Sequence, residues 1–381
     1  MNRRMEALLA DDDALFDGFF DWLAGQYDEV SGGFYYARSS RESGRFSPDI
    51  ESTAQALNII ERCGLLERLE DRMREGMIRF FRSRQDPGTG WFYDDDPNMR
   101  LDDVMVGRAL GYSLHGLGKL GAEPLYSQPA ESGATPAYMA SPASFGDWLR
   151  SISLANSWRG CDKLSHCGAH LAALAPERRE PYVSEAFDYL NGIQDPVTGF
   201  WGEGAPYVRL SGTFKLHLFY RRFGVPMPRQ DRIYRSILDA LRTETAFDMC
   251  YIRNPISLLS SMRPDIPEDE MTEIAETTLA NMAKLKRDDG GFSRELHGSP
   301  PAPNVAQVKP GESYPDMPVA VPLGLGLVEG DMNAGTQAVL IRYTLRELAG
   351  LPHRHLAVPD NRFGPRSTIR YPRGDKSAHE H

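Results

Sequence analysis

Four stretches of the chain repeat one pattern: "FDWLAGQYDEVSGGFYY", "IRFFRSRQDPGTGWFY", "FDYLNGIQDPVTGFWG" and "MAKLKRDDGGFS". In each, a helix-like segment ends on a polar residue, crosses a short acidic turn, and reaches a glycine followed by an aromatic. Gln26, Gln85 and Gln194 hold the polar slot, and Arg287 takes it in the fourth stretch. The step from Gln85 to Gln194 is about twice that from Gln26 to Gln85, so a further unit fits between them. A recurring supersecondary unit restricts the fold more than composition does, because each copy buries its apolar face only against its neighbours.

Apolar residues at helical spacing lead into the turns. Leu69, Met73, Met77 and Phe80 share a face, as do Val183, Phe187 and Leu190, and then Met271, Ile274, Thr278 and Met282. A second helix-like segment follows each turn, starting near Asp49, Leu101, Tyr207 and Gly330. Two further pairs, "FGDWLRSISLA" with "CDKLSHCGAHLAAL" and "DRIYRSILDALR" with "AFDMCYIRNPISLL", bring the total to six helical hairpins. Closed on themselves, they predict an all-α protein: a single (α/α)6 toroid over residues 1–351, with the second helix of each pair inside and long loops at one mouth. Residues 352–381 read as a C-terminal strap or a disordered tail.

Two internal stretches resist helix formation. Residues 121–141 are rich in Pro, Ala and Ser and read as a surface crossing. Residues 292–330 carry many prolines and glycines, and are expected to form either a lid over the cavity mouth or a solvated strap.

The Gln–turn–Gly–aromatic unit resembles the QW motif of the terpenoid cyclase and protein prenyltransferase superfamily, most clearly in "FFRSRQDPGTGW" and "YLNGIQDPVTGFW". The resemblance implies the toroid, with the Gln side chain tying helix ends together and the aromatic stacked beside it. "PDIESTAQAL" resembles the acid motif DxDDTA of squalene–hopene-type cyclases. That likeness implies that Glu51 protonates an isoprenoid-like substrate and that Asp49 orients it, although Glu replaces the middle Asp and Ser52 the last.

Taken residue by residue, the inner-helix starts carry Asp49, Glu51, Asp102, Asp103, Asp162, Ser211, Asp248 and Asp331. Helix capping explains most of them. Asp49/Glu51 and Asp102/Asp103 exceed what a cap requires, and Asp103, Asp162 and His166 join Glu51 and Asp49 as candidate catalytic groups. Asp162, His166 and His170 fall at i, i+4 and i+8 on one helical face, beside Cys161 and Cys167. Neither CxxC nor HExxH spacing occurs, so no cofactor is expected, with a zinc ion on Cys161, Asp162 and His166 as the weaker alternative. Arg159, Arg209, Lys215 and Arg253 also fall on inner helices. With Tyr35, Tyr36, Trp91, Trp158, Trp201, Tyr251 and Cys161 they suit substrate binding, and the mixed charges suit a polar substrate such as a sugar or uronate.

Three functions follow. The first is acid/base cyclisation, isomerisation or dehydration of an isoprenoid-like molecule in the toroid. The second is a six-hairpin carbohydrate-active enzyme, a glycosidase or polysaccharide lyase, working with two carboxylates. The third is a non-catalytic toroid that binds a ligand. Each implies a small-molecule partner, and a homo-oligomer is left open. The net charge of -10 argues against nucleic acid, whose phosphates need a basic face. At 41% hydrophobic and 25% charged residues the chain can build a core. No segment approaches the ~18–20 uninterrupted apolar residues of a membrane helix. With four cysteines read as free thiols and acids in place of a signal-peptide core, a cytoplasmic location is expected.

Overall fold

The computed structural model describes residues 2–129, 136–307 and 317–358. Its helices are α1 (Asn2–Asp11), α2 (Phe19–Gly25), α3 (Arg38–Glu42), α4 (Ile50–Arg62), α5 (Asp71–Ser83), α6 (Asp103–Lys119) and α7 (Pro142–Ser151). They continue with α8 (Ser157–Ala173), α9 (Pro176–Ile193), α10 (Pro206–Arg222), α11 (Gln230–Thr243), α12 (Met249–Met262), α13 (Glu268–Leu285) and α14 (Met332–Leu348). The fold is all-α; among the described residues, β-pairing is confined to isolated bridges beside the turns.

Among the described residues six helices close a ring. α4 packs on α6, α6 on α8, α8 on α10, α10 on α12, α12 on α14, and α14 returns to α4. Burial separates this inner layer from the outer one. α10 buries Tyr207, Leu210, Phe214 and Phe219 on all sides of its axis, as a helix enclosed by protein must. Outer helix α5 instead buries only Gly76, Met77, Phe80 and Phe81, a single stripe with its arginines in water. The outer helix α13 hides Met271, Ile274, Thr278 and Met282, the face its spacing predicts.

The turns work as clasps between neighbouring hairpins. Gln194 donates to Gly199 O at 2.8 Å within its own turn and to Pro228 O at 2.9 Å in the following connection, while Arg229 donates back to its Oε1 at 2.6 Å. Gln85 repeats the geometry: its Nε2 reaches Gly90 O and Tyr126 O, and its Oε1 accepts from Leu125 and Tyr126. The aspartates shape the loops, with Asp86 Oδ1 and Asp195 Oδ1 each accepting two backbone amides just ahead. Gly90 and Gly199 then adopt φ of 74° and 72°, which L side chains avoid.

Two expectations about this slot need correction. Gln26 donates to Trp22 O of its own helix and ties nothing to its neighbour. In the fourth unit Lys286, not Arg287, takes the clasp position. Its Nζ reaches Gly290 O in the turn and Asp17 O before α2, both at 2.8 Å. A four-carbon ammonium stem thus joins the last hairpin to the first and seals the ring.

Residues 292–307 and 317–330 lie against the mouth where the inner helices begin. Tyr36 donates to Pro300 O, Ser299 to Asp331 Oδ2, and Asn156 to Gln307 O. Residues 292–307 are largely buried and form a packed cover, while about half of 317–330 is exposed, Val328 at 67%; residues 308–316 lie outside the described residues. Within 121–141, Leu125 and Tyr126 are held by Gln85, and residues 130–135 lie outside the description. Of the C-terminal stretch, His353 stacks on Tyr343 at 4.8 Å and Arg342 donates to Arg354 O. Residues 359–381 fall outside the described part.

Substituting Gln194 by Ala leaves the carbonyls of Gly199 and Pro228 and the Arg229 guanidinium without their partner. The expected loss is about 2–4 kcal/mol of unfolding free energy. Gln26→Ala should cost below about 1 kcal/mol. Equal losses in chemical denaturation would show that Gln194 does not join hairpins.

Candidate active site

The ring encloses a cavity of about 460 Å³, bounded at one end by Pro303 of the cover and at the other by Arg62, Leu218 and Leu340. Every inner helix contributes side chains at helical spacing. α4 supplies Glu51, Gln55, Asn58 and Arg62, and α14 supplies Asn333, Thr336, Gln337 and Leu340.

Two charged clusters face this space. In the first, Glu51 Oε1 accepts from Arg108 Nη2 at 2.9 Å, Gln55 Nε2 at 2.9 Å and Asn333 Nδ2 at 3.3 Å. Asn333 in turn accepts from Arg294 and Gln337, and Arg108 lies 3.5 Å from the Tyr112 hydroxyl. One polar chain therefore spans α14, α4 and α6. Since three donors converge on Oε1, a proton given to a substrate would have to leave from Oε2.

The second cluster is Asp162 on α8 with Lys215 on α10, 3.1 Å apart and both largely buried. Burial pushes the Asp162 carboxyl upward, but Lys215 and Arg108 outweigh it and hold Asp162 below its ordinary range. Lys215 is also held below its ordinary value, chiefly by burial; Asp162 opposes this and Arg108 adds repulsion. Arg108 thus stabilises the carboxylate and loosens the ammonium proton at once.

Of the residues expected at the site, Glu51, Asp162, Trp158, Lys215 and Arg253 line the cavity. The others sit elsewhere. Asp49 caps α4, accepting from Ser52 N at 2.8 Å. Asp103 is exposed at the start of α6, while Asp102 caps that helix and pairs with Arg159 at 2.7 Å. Arg209 pairs with Asp195 of the clasp turn. Tyr36 lies under the cover, Trp201 donates to Leu190 O in the core, and Tyr251 stacks on Tyr207 at 4.9 Å. Tyr35 and Trp91 remain on the turns outside the cavity wall.

The metal alternative loses its geometry. Cys161 faces Ser157, Asp162 faces Lys215, and the His166 ring lies so close to Gly107 that a Cβ there would come within 1.8 Å of it. Among the described residues no group of three His, Cys, Asp or Glu side chains is placed to hold a metal. Burial pushes the Cys161 thiol up to about 12, which makes it an inert core thiol.

The sequence placed the start of α8 too late. The helix begins at Ser157 with Asn156 as its cap, so Asp162 stands one turn inside, free of capping duty and able to reach the cavity. Ser211 and Lys215 likewise lie within α10 rather than at its start. The lining residues that went unnoticed, among them Gln55, Arg108, Tyr112, Asn254, Asn333 and Gln337, left a readable sign. They are polar residues spaced by three or four on helices otherwise buried all round.

No family model matches the chain, and no curated protein does. Among solved structures it is similar to a variant of the type II terpene cyclase MstE from Scytonema, in complex with geranylgeranyl dihydroxybenzoate. That likeness has 16% identity, covers 91% of this chain and 100% of that one, and has a TM-score of 0.45. It is also similar to a protein from Actinoplanes at 14% identity, over 89% and 99% of the two chains, with a TM-score of 0.43. The ring described above stands on its own helix packing. No helix among the described residues is long and apolar enough to cross a membrane.

Burial, the largest influence on the Asp49 carboxyl, pushes it up to about 7. A raised carboxyl means that the folded state holds more protons than the unfolded chain between about pH 4 and 7. Stability from this group therefore falls as pH rises through that window. Asp49→Asn keeps a capping oxygen and should be more stable than the parent at pH 8, with the advantage gone by pH 4. A difference independent of pH, measured by denaturant titration at several pH values, would refute the assignment.

Proposed function

We propose that the chain is an acid/base enzyme, of the isomerase or lyase type, acting on a small polar molecule in the central cavity. The observation that carries this reading is the Asp162–Lys215 pair on the cavity wall. A carboxylate held ionised is a base, and beside it an ammonium with a loosened proton is an acid. Asp162 would take a proton from the bound molecule and Lys215 would return one to a neighbouring atom. Arg108, fixed by Glu51, would stabilise negative charge that develops between these steps. In this scheme Glu51 positions Arg108, and the proton transfer expected of it passes to the second cluster.

The nature of the wall bears on the substrate. Tyr112, Trp158 and Phe214 are its aromatic members, against five cations and two acids. A hydrocarbon chain would gain little by displacing water from so many charged groups. A sugar acid or similar polyol would keep them hydrogen-bonded, which favours the carbohydrate reading over the isoprenoid one.

The test is to incubate the purified protein with two panels, uronates and sugar acids in one, isoprenoid alcohols and diphosphates in the other, and to follow products by mass spectrometry. Turnover is expected in the first panel, and Asp162→Asn or Lys215→Met should lower it about 10²–10⁴-fold with the fold retained by circular dichroism. Turnover confined to isoprenoids would restore the other substrate class. Binding without turnover in either panel would favour a ligand-binding toroid.

A further inference from the structure

At its end away from the cover, the cavity shares Arg62, Phe214, Leu218, Arg253 and Leu340 with a second hollow of about 570 Å³. Among the described residues four guanidinium groups line this mouth, those of Arg62, Arg221, Arg253 and Arg263, and no carboxylate does. Three of them have an ordinary explanation. Arg62 and Arg221 lie in the last turns of α4 and α10, and Arg263 directly follows α12. There a cation offsets the negative end of the helix dipole. Arg263 also lies 3.8 Å from Glu347.

Arg253 escapes that explanation. It stands in the second turn of α12, away from the helix's negative end, where no dipole accounts for a cation. Its guanidinium lies 4.0 Å from the centre of the Phe214 ring, Nη1 reaches Asn254 Oδ1 at 3.2 Å, and Nε is buried with no hydrogen-bond partner among the described residues. Burial pushes it down to about 10, as happens when a charge is desolvated without a counter-charge. The neighbouring His217 adds no charge, since burial pushes it down to about 4 and its Nδ1 faces Phe214 O. Ser257, one turn beyond Arg253, also lines the hollow and brings a hydroxyl to the same face.

We propose that this second mouth binds an oxyanion, a phosphate ester or a carboxylate, as the charged end of the molecule that occupies the cavity. Arg253 is the anchor, because its planar fork matches an oxyanion edge. Arg62 and Arg221 neutralise the remaining charge from the rim. An anchored molecule would lie along Phe214 and point its far end at Lys215 and Asp162. That orientation rests on the reaction proposed above; the binding itself does not.

Isothermal titration of the full chain with inorganic phosphate, pyrophosphate and citrate tests this without any turnover, so an inactive protein still gives an answer. The wild type should bind at least one of them saturably, and more weakly as salt rises. Tighter binding of the phosphates assigns a phosphate ester, and tighter binding of citrate assigns a carboxylate. Arg253→Met, which keeps the length of the side chain and removes its charge, should weaken binding at least tenfold, with partial rescue by Arg253→Lys. Arg62→Gln, at the exposed rim where the fold is not at stake, should weaken it about threefold or more. Absence of saturable binding to the wild type would overturn the proposal, and so would wild-type affinity in both Arg253→Met and Arg62→Gln. Should Arg253→Met fail to fold, Arg253→Lys and Arg62→Gln decide the matter.

Discussion

Hydrogen bonds from three of the turns to the next connection tie neighbouring hairpins of this molecule together. Packing closes the inner ring, α14 returning to α4, but by itself leaves the turns at the rim free to draw apart. Gln85 and Gln194 prevent that locally, because each bonds both its own turn and the chain leading into the next hairpin. Lys286 does the same at the seam where the last hairpin meets the first. The bonds within the Gln85 and Gln194 turns are buried, those crossing to the next connection are part-buried, and the Lys286 bond to Asp17 O is exposed. The hollow exists because the inner helices close on one another, and the clasps brace the rim around it.

The repeats made the architecture legible from the sequence because a clasp turn needs several residue types in fixed order. An acid to fold the loop, a glycine at positive φ, and an amide to bridge leave a pattern that chance seldom produces. The same reasoning misjudged the ends of the series. Gln26 matches the pattern yet turns back on Trp22, and Lys286 departs from it yet serves as a clasp. A long ammonium chain and a short amide can present donors to the same carbonyls, which a search for glutamine misses.

Site residues were legible only in part, and the reason is geometric. Acids near helix starts attract attention, but Asp49, Asp102, Asp248 and Asp331 cap their helices through backbone amides. Reaching the cavity requires a position beyond the first turn on the inward face. Asp162 meets that condition because α8 begins earlier than its apolar pattern suggests, and Lys215 because it lies deep in α10. An error of a few residues in a helix boundary is minor for a fold and decisive for a site.

The charge distribution follows from the parallel course of the inner helices. Their positive ends gather at the covered mouth, where Asp49, Asp102, Asp248 and Asp331 cap four of them, and their negative ends gather at the other, where Arg62, Arg221 and Arg346 lie in last turns. Side chains that follow this rule report on helix ends and need no further purpose. Those that depart from it are informative. Asp162, Lys215 and Arg253 all lie beyond the first turns of their helices, too far from a terminus to serve a dipole. Keeping such groups in a largely buried wall costs stability, which for Arg253 the Phe214 ring and Asn254 offset only in part, its buried Nε having no acceptor among the described residues. Under the binding mode and the reaction proposed for this cavity, a bound molecule bearing negative charge would supply the remainder and join the Arg253 guanidinium to the Asp162–Lys215 pair as two ends of one site.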